Sequence, residues 1–234
     1  MNDIASAKAS FKDQAVIFKR KHNWLMCWLY TGTFGSFIGY SAGLPMLIKT
    51  LFPTLNPTQY AFLGPLVGAL IRPVGGWLAD KLGGARVTLW NFMLMTVAVF
   101  GVLHFMPHGG VGGDFNGFLA MFLLLFLTTG IGNGSTFRMI PVIFLTERQR
   151  AAADQSEASM AQARRDAAKE SAAVLGFSSA IAAYGAFFIP KSYGTAISIT
   201  GSPDAALYGF VVFYVSCIVM TWWYYARKYA EMPC

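Results

Sequence analysis

Arg72 is the residue of this sequence whose type and position most clearly suggest chemistry. It lies in an otherwise uncharged run, 60–79, and shares a four-residue spacing with Gly64, Gly68 and Gly76. About twenty residues of helix cross a hydrocarbon core of ~30 Å, so this guanidinium is expected near membrane depth. A charge there costs roughly 2.5 to 3.5 kcal/mol on insertion scales, which favours surroundings of protein or a cavity over lipid. The spacing therefore indicates an anion pathway.

The alternative for Arg72 is a side chain that snorkels to the interface or pairs with a carboxylate. The sequence offers no acid at membrane depth, because all eleven acidic residues fall in segments expected to be tails, helix ends or connections. They are Asp3, Asp13, Asp80, Asp114, Glu147, Asp154, Glu157, Asp166, Glu170, Asp204 and Glu231. The fixed charge inside the membrane is therefore positive.

Composition sets the class of protein that must position this arginine. Hydrophobic residues make up 55% of 234 positions and charged residues only 12%, above the roughly 45 to 50% apolar usage of soluble domains. The apolar stretches predict an all-α membrane protein with six transmembrane helices. They run at approximately 24–52, 60–79, 87–106, 117–145, 172–189 and 205–226.

The basic residues predict the orientation of the six-helix bundle, 24–228. Nearly all of them fall in segments that share one side, whereas only Lys49 and Lys191 flank the other. The positive-inside rule places both termini in the cytoplasm of a multi-pass protein of the inner membrane. Residues 1–23 are then a cytoplasmic tail, 229–234 a second tail, and about 146–171 a charged cytoplasmic loop, mobile or helical. Topology and membrane lipid account for the net charge of +7, so no nucleic-acid partner is expected.

Two aromatic residues and a serine are further candidates for the site. Tyr30 and Phe34 are four residues apart and share one face of the first span, although aromatic side chains in such helices commonly serve packing alone. In the fifth span Ser179 is the polar member of a small-residue stripe that begins at Gly176 and suits close helix approach. A serine in such a stripe also commonly bonds back to its own helix.

The fourth span carries a glycine-rich run followed by an arginine. Such a run permits close helix contact or a bent backbone, and we expect it to serve packing and gating. Arg138, about two turns from the cytoplasmic end, is expected to snorkel or to pair with Glu147, with substrate binding as the alternative. The run consists of Gly130, Gly132, Asn133 and Gly134.

A short connection follows the arginine helix. Its residues Gly76, Asp80, Lys81 and Arg86 suit a charge-clamped hinge between adjacent helices, and equally an ordinary capped loop that carries positive-inside residues.

The sequence indicates neither an enzyme nor a metalloprotein. Cys27, Cys217 and Cys234 lack the spacing of a metal site or a disulfide framework. No span or loop presents a nucleophile with its base. We therefore expect no catalytic residue, metal or cofactor.

Four segments together resemble one known family. They are 30–39, 68–72, 130–137 and 175–181, and they are similar to the seventh, eighth, tenth and eleventh helices of bacterial nitrate/nitrite porters of the major facilitator superfamily. The connection 76–86 is similar to that superfamily's cytoplasmic loop motif. The resemblance covers nearly the whole chain and identifies it with the carboxyl-terminal half, with 1–23 resembling the linker between the halves.

The resemblance implies an oxyanion carrier that works by alternating access. Arg72 would bind nitrate or nitrite, with Tyr30, Phe34 and Ser179 lining the site. The partner would be an amino-terminal six-helix half, or a second copy of the chain in a homodimer. Nitrate/nitrite exchange is the first mechanism, proton-coupled nitrate uptake the second, and a non-transporting scaffold or regulatory half the alternative from another class.

Overall fold

The computed structural model describes residues 15–108, 112–152 and 156–234. Most of the predicted amino-terminal tail, 1–14, lies outside these ranges. The described part of the chain is built of helices, with no strand in it. The prediction of an all-α fold is therefore confirmed.

Eight α-helices account for most of the described chain. In order they are α1 Lys21–Tyr30, α2 Ser36–Leu51, α3 Leu63–Leu82, α4 Gly84–Phe105, α5 Phe115–Ala151, α6 Glu157–Ala183, α7 Gly185–Thr200 and α8 Asp204–Thr221. Two π-helical segments, Thr31–Gly35 and Trp222–Ala226, follow α1 and α8, and short 3-10 helices lie at Val16–Lys19 and Pro57–Gln59.

These helices form six rods. Five helical segments are long and apolar enough to cross a membrane: Pro57–Leu82, Gly84–Phe105, Phe115–Ala151, Glu157–Thr200 and Asp204–Ala226. The first predicted span is also continuous in the structure, because α1, the π segment Thr31–Gly35 and α2 follow one another without a break. The six apolar stretches of the sequence thus correspond to six helical rods.

The helices extend further than hydropathy predicts. Much of the charged segment 146–171 is helical, because α5 runs to Ala151 and α6 already begins at Glu157. A Ser156 side chain caps α6 by accepting from the Ser159 amide. Hydropathy marks where a helix leaves the hydrocarbon, whereas hydrogen bonds and caps decide where it ends, which explains the difference.

Glycine lets the helices that hold Arg72 approach each other closely. The packing of α3 along α5 is the most extensive in the bundle, followed by that of α4 along α5. A methyl group on Gly130 would overlap the carbonyl oxygen of Gly68, and one on Gly134 would overlap the carbonyl oxygen of Arg72. These backbone contacts fix the depth of Arg72 against the centre of α5.

A second set of glycines joins the first span to α7. Side chains of α7 occupy the space that side chains on α2 would need: Ile189 fills it at Gly39, and Tyr193 at Gly43. Buried aromatic rings, among them Tyr40 and Phe92, complete the interior. The first span is thereby held against α7 on one side and is free to present other residues toward α3.

Candidate functional site

The Arg72 guanidinium lies against two aromatic rings of the first span. Its Cζ atom is 4.3 Å from the ring centroid of Phe37 and 5.4 Å from that of Phe34. The Nε atom is buried and has no hydrogen-bond partner. Within the described ranges no ion pair includes Arg72. The salt-bridge alternative therefore has no carboxylate partner there, and donors of the guanidinium are left for another acceptor.

Tyr30 and Ser179 lie beside this arginine. The rings of Tyr30 and Phe34 are 5.4 Å apart between centroids. The Tyr30 hydroxyl lies near the Ser179 side chain and near the Arg72 guanidinium. The four residues singled out in the sequence as substrate contacts are thus brought together from α1, the π segment, α3 and α6.

A local irregularity positions Phe34. The π segment Thr31–Gly35 interrupts the first span between Tyr30 and Phe37. Such single-turn widenings change the direction of the side chains that follow, and they are frequent at functional sites. Thr31 and Thr33 donate their hydroxyl hydrogens back to carbonyl groups of α1, which satisfies backbone acceptors around the irregularity.

The four-residue spacing around Arg72 holds for only part of α3. Gly64 and Gly68 are buried against α5 and the first span, but the nearest outside atom to a methyl group on Gly76 would be 3.8 Å away. Gly75 is the packed glycine at that level, since a methyl group there would overlap the carbonyl oxygen of Ile131. With 3.6 residues per turn a four-residue step advances about 40° beyond a full turn, so Gly76 has rotated away from the contact.

The glycine-rich run of α5 divides between two neighbours. Gly130 and Gly134 face α3, whereas a methyl group on Gly132 would overlap the amide of Asn91 on α4. Asn133 between them is 5% exposed and its Nδ2 has no partner. The run therefore packs α5 on both sides, and its predicted role in gating stays a prediction.

The predicted small-residue stripe of the fifth span is not the face that packs within the described chain. A methyl group on Gly176 would meet nothing within 4 Å. The packed face carries Ala182 and Gly185 instead, which contact Gly35 of the π segment. The rod is also interrupted at Tyr184, where α6 ends and α7 begins. Gly176 lies on a surface that no other part of the described chain covers. Its role in close helix approach therefore stays a prediction.

Arg138 pairs with Asp80 and not with Glu147. Its Nε and one terminal nitrogen donate to the two carboxylate oxygens of Asp80, at 2.8 and 2.6 Å. The expected partner Glu147 instead accepts from Arg20 at 2.9 Å. The expected pairing with Glu147 was wrong. The packing of α3 along α5 brings Asp80 beside Arg138, and the distance between them in the sequence does not reveal this contact. The connection 76–86 is thus clamped to α5.

A second ionic cluster joins α5 and α6 at the same end of the bundle. Glu170, 6% exposed, accepts two hydrogen bonds from Arg148 and one from Arg20. This end of the bundle carries most of the basic residues, among them Arg20, Arg138, Arg148 and Arg150, and we call it the basic end. The cluster was not identified from the sequence, since its members Arg20, Arg148 and Glu170 are 22 to 150 positions apart.

Phe37 is a neighbour of Arg72 that sequence reasoning missed. It is closer to the Arg72 guanidinium than Phe34 is. Its spacing of three from Phe34 was an available signal, because residues three apart share a helix face.

The Arg72 guanidinium thus lies beside two aromatic rings inside a bundle of membrane-length helices, with its buried Nε unpaired. A guanidinium offers forked donors in one plane to a planar oxyanion, and aromatic rings can cover that plane. In the described part of the chain no group of three His, Cys, Asp or Glu side chains could hold a metal ion. The fold is one six-helix half of a major facilitator superfamily transporter.

Comparison with curated proteins gives the family. The chain is 50% identical over 234 residues to the nitrate/nitrite transporter NarU of Salmonella typhimurium and 48% identical to NarU of Escherichia coli. It is 37% identical to the "Probable nitrate/nitrite antiporter NarK2" of Thermus thermophilus. Each match covers 97% of this chain but only 49%, 49% and 47% of the relative. No family model matches the sequence.

The chain belongs to the nitrate/nitrite transporter family. It spans about half the length of the curated relatives it matches, in agreement with the predicted carboxyl-terminal half. The relatives are named as transporters, which confirms the prediction that this protein is not an enzyme.

Proposed function

We propose that this chain is half of a carrier that moves nitrate and nitrite across the bacterial inner membrane. The observation that carries the proposal is the Arg72 guanidinium, which lies against Phe34 and Phe37 with a buried Nε left unpaired. Nitrate is a planar anion that this fork can bind through two parallel hydrogen bonds. The names of the relatives support the same substrates.

Nitrate/nitrite exchange is the mechanism we favour. The two anions have similar size, shape and charge, so one guanidinium can bind either. In the described part of the chain no carboxylate is paired with Arg72, so none is in place there to relay a proton. Proton-coupled nitrate uptake would require a relay group from another chain or segment.

A second six-helix bundle completes the carrier in this proposal. Exposed apolar side chains recur at helical spacing along α3, from Phe62 just before it through Leu66, Leu70 and Val74 to Trp77. The chain also matches only half of each relative's length. An amino-terminal half seated against this bundle would cover apolar surface that the chain alone leaves exposed. The two halves would then rock about a midplane site, with both termini of this chain in the cytoplasm.

Transport in liposomes tests the proposal. Vesicles loaded with nitrite receive the chain alone, or the chain co-expressed with an amino-terminal six-helix half, and nitrate entry is measured. We expect exchange only with both halves, and its loss with Arg72→Ala. Arg165→Ala, on an exposed face of α6, is the matched control. Arg72-dependent exchange by the chain alone would indicate a homodimer, and no nitrate entry even with both halves present would favour a scaffold.

A further inference from the structure

A groove of about 440 Å³ lies between α3 and α4 at the basic end. Its walls are Leu78, Leu82, Trp90, Leu94 and Ile131. It is open to the outside of the bundle, since Leu82 and Trp90 are 58% and 66% exposed. In a spanning protein an open apolar groove on two membrane helices is in contact with acyl chains.

Arg86 lies at the mouth of this groove. It lines the groove from the first turn of α4 and is exposed. The neighbouring cations have protein contacts: Arg138 is paired with Asp80, and Lys81 lies 4.2 Å from the ring centroid of Trp77. Across the described ranges no hydrogen bond or ion pair occupies Arg86. A cation in the first turn of a helix is disfavoured by the helix dipole, whereas an anion is favoured there. An anion bound at Arg86 would offset the repulsion between this cation and the positive end of the helix dipole.

A polar side chain is buried further along the same wall. Asn91 lines the groove, is 3% exposed, and donates from Nδ2 only to the Met95 sulfur at 3.5 Å, a weak acceptor. It is five residues beyond Arg86, or about 7.5 Å along the helix. The groove therefore changes from charged to polar to apolar as it enters the membrane. A phospholipid has the same order of phosphate, ester and acyl chain.

We propose that this groove binds one anionic phospholipid, with its phosphate on Arg86, an ester carbonyl near the Asn91 amide and an acyl chain along Leu94 and Ile131. A free phosphate would use only the first of these contacts. Basic sites between membrane helices are a recognised mode of binding for anionic lipid head groups. The site is on the outer wall of α3 and α4, and it does not depend on the anion bound at Arg72.

Native mass spectrometry of the purified 234-residue chain tests the proposal. Phosphatidylglycerol and phosphatidylcholine are added in turn, and the fraction of protein that retains one lipid is compared. We expect phosphatidylglycerol to be retained preferentially, and Arg86→Gln to weaken its retention about tenfold, the effect of one charge-assisted hydrogen bond. Arg165→Gln on α6 should have no effect. Leu94→Trp, which fills the groove at a half-exposed position, should reduce retention of both lipids.

Three results would overturn the proposal. Equal retention of both lipids would show that the head group is not recognised. Equal losses in Arg86→Gln and Arg165→Gln would show that general charge, and not this site, holds the lipid. Displacement of phosphatidylglycerol by millimolar inorganic phosphate would show a simple anion site. If Arg86→Gln fails to fold, Arg86→Met provides the same comparison, because it keeps most of the length of the side chain, removes the charge and should likewise weaken the retention of phosphatidylglycerol.

Discussion

Gly35 and Gly185 touch where two membrane spans are each interrupted. A methyl group on Gly185 would overlap the carbonyl oxygen of Gly35. Gly35 ends the π segment that carries Phe34, and Gly185 begins α7 just after the break at Tyr184. A change of angle at this contact would displace Phe34 and Ser179 together, because both lie within about two turns of it.

We expect Gly185→Ala to destabilise the chain and Gly176→Ala to leave it at least as stable as the wild type. The first adds a methyl group where a backbone carbonyl already lies, and overpacking of this kind costs about 1–3 kcal/mol. The second adds the same group to the same rod, at a position with no atom within 4 Å. Thermal unfolding in detergent compares them. Equal midpoints for the two variants would contradict the close contact at Gly35.

Arg72→Lys should weaken nitrate binding by at least about tenfold while the protein still inserts. Lysine keeps the charge but loses the fork that gives two parallel hydrogen bonds. Scintillation binding with labelled nitrate, in the two-half preparation, measures the loss. Arg165→Lys on the exposed face of α6 is the control. Unchanged affinity in a folded Arg72→Lys protein would remove this arginine from the site.

Phe37→Leu should reduce anion affinity more than Phe34→Leu does. The Arg72 Cζ atom is 4.3 Å from the Phe37 ring and 5.4 Å from the Phe34 ring, so Phe37 contributes the stronger cation–π contact to its position. Leucine keeps apolar bulk and removes only the ring. The same labelled-nitrate assay ranks the two variants. A larger loss of affinity in Phe34→Leu would show that Phe34, and not Phe37, makes the stronger contact with the guanidinium.

Glu170→Gln should lower the free energy of unfolding by about 1–3 kcal/mol, the range for hydrogen bonds to a charged group. The carboxylate is 6% exposed and accepts from Arg148 and Arg20, so the substitution leaves two cations without their shared partner. Asp166→Asn, one turn earlier on α6, is the control. Urea or thermal unfolding of both variants measures the difference, and equal stability would show that the cluster is too hydrated to matter.

Stability should fall at low pH partly through Glu231. The Lys21 ammonium, 2.7 Å from this carboxylate, lowers the pKa of Glu231 below its ordinary value. A carboxyl with a lowered folded-state pKa stabilises the fold above its unfolded pKa of about 4.3, and this contribution is lost as pH falls through the lower value. Unfolding midpoints between pH 7 and pH 3 should therefore drop more in the wild type than in Glu231→Gln. Equal changes of the midpoint with pH in the two proteins would show that the Lys21–Glu231 ion pair does not contribute to this pH dependence.

The sequence by itself determined the class of protein and its six apolar stretches, and it singled out Arg72 within one of them. Apolar length and the cost of burying charge act locally along the chain, so they can be recognised without coordinates. The glycine spacing also indicated close helix contact, and Gly64 and Gly68 make such contacts.

Only the tertiary structure decided which residues meet. The partner of Arg138 is Asp80, 58 positions away, and Glu170 joins Arg20 across 150 positions. Phe37 lies beside Arg72 because a π segment turns the first span and backbone contacts set its distance from α3. Gly75 replaces Gly76 because a four-residue step overshoots a 3.6-residue turn. Register, rotation and chain topology fix these relationships, and a linear pattern of residue types does not contain them.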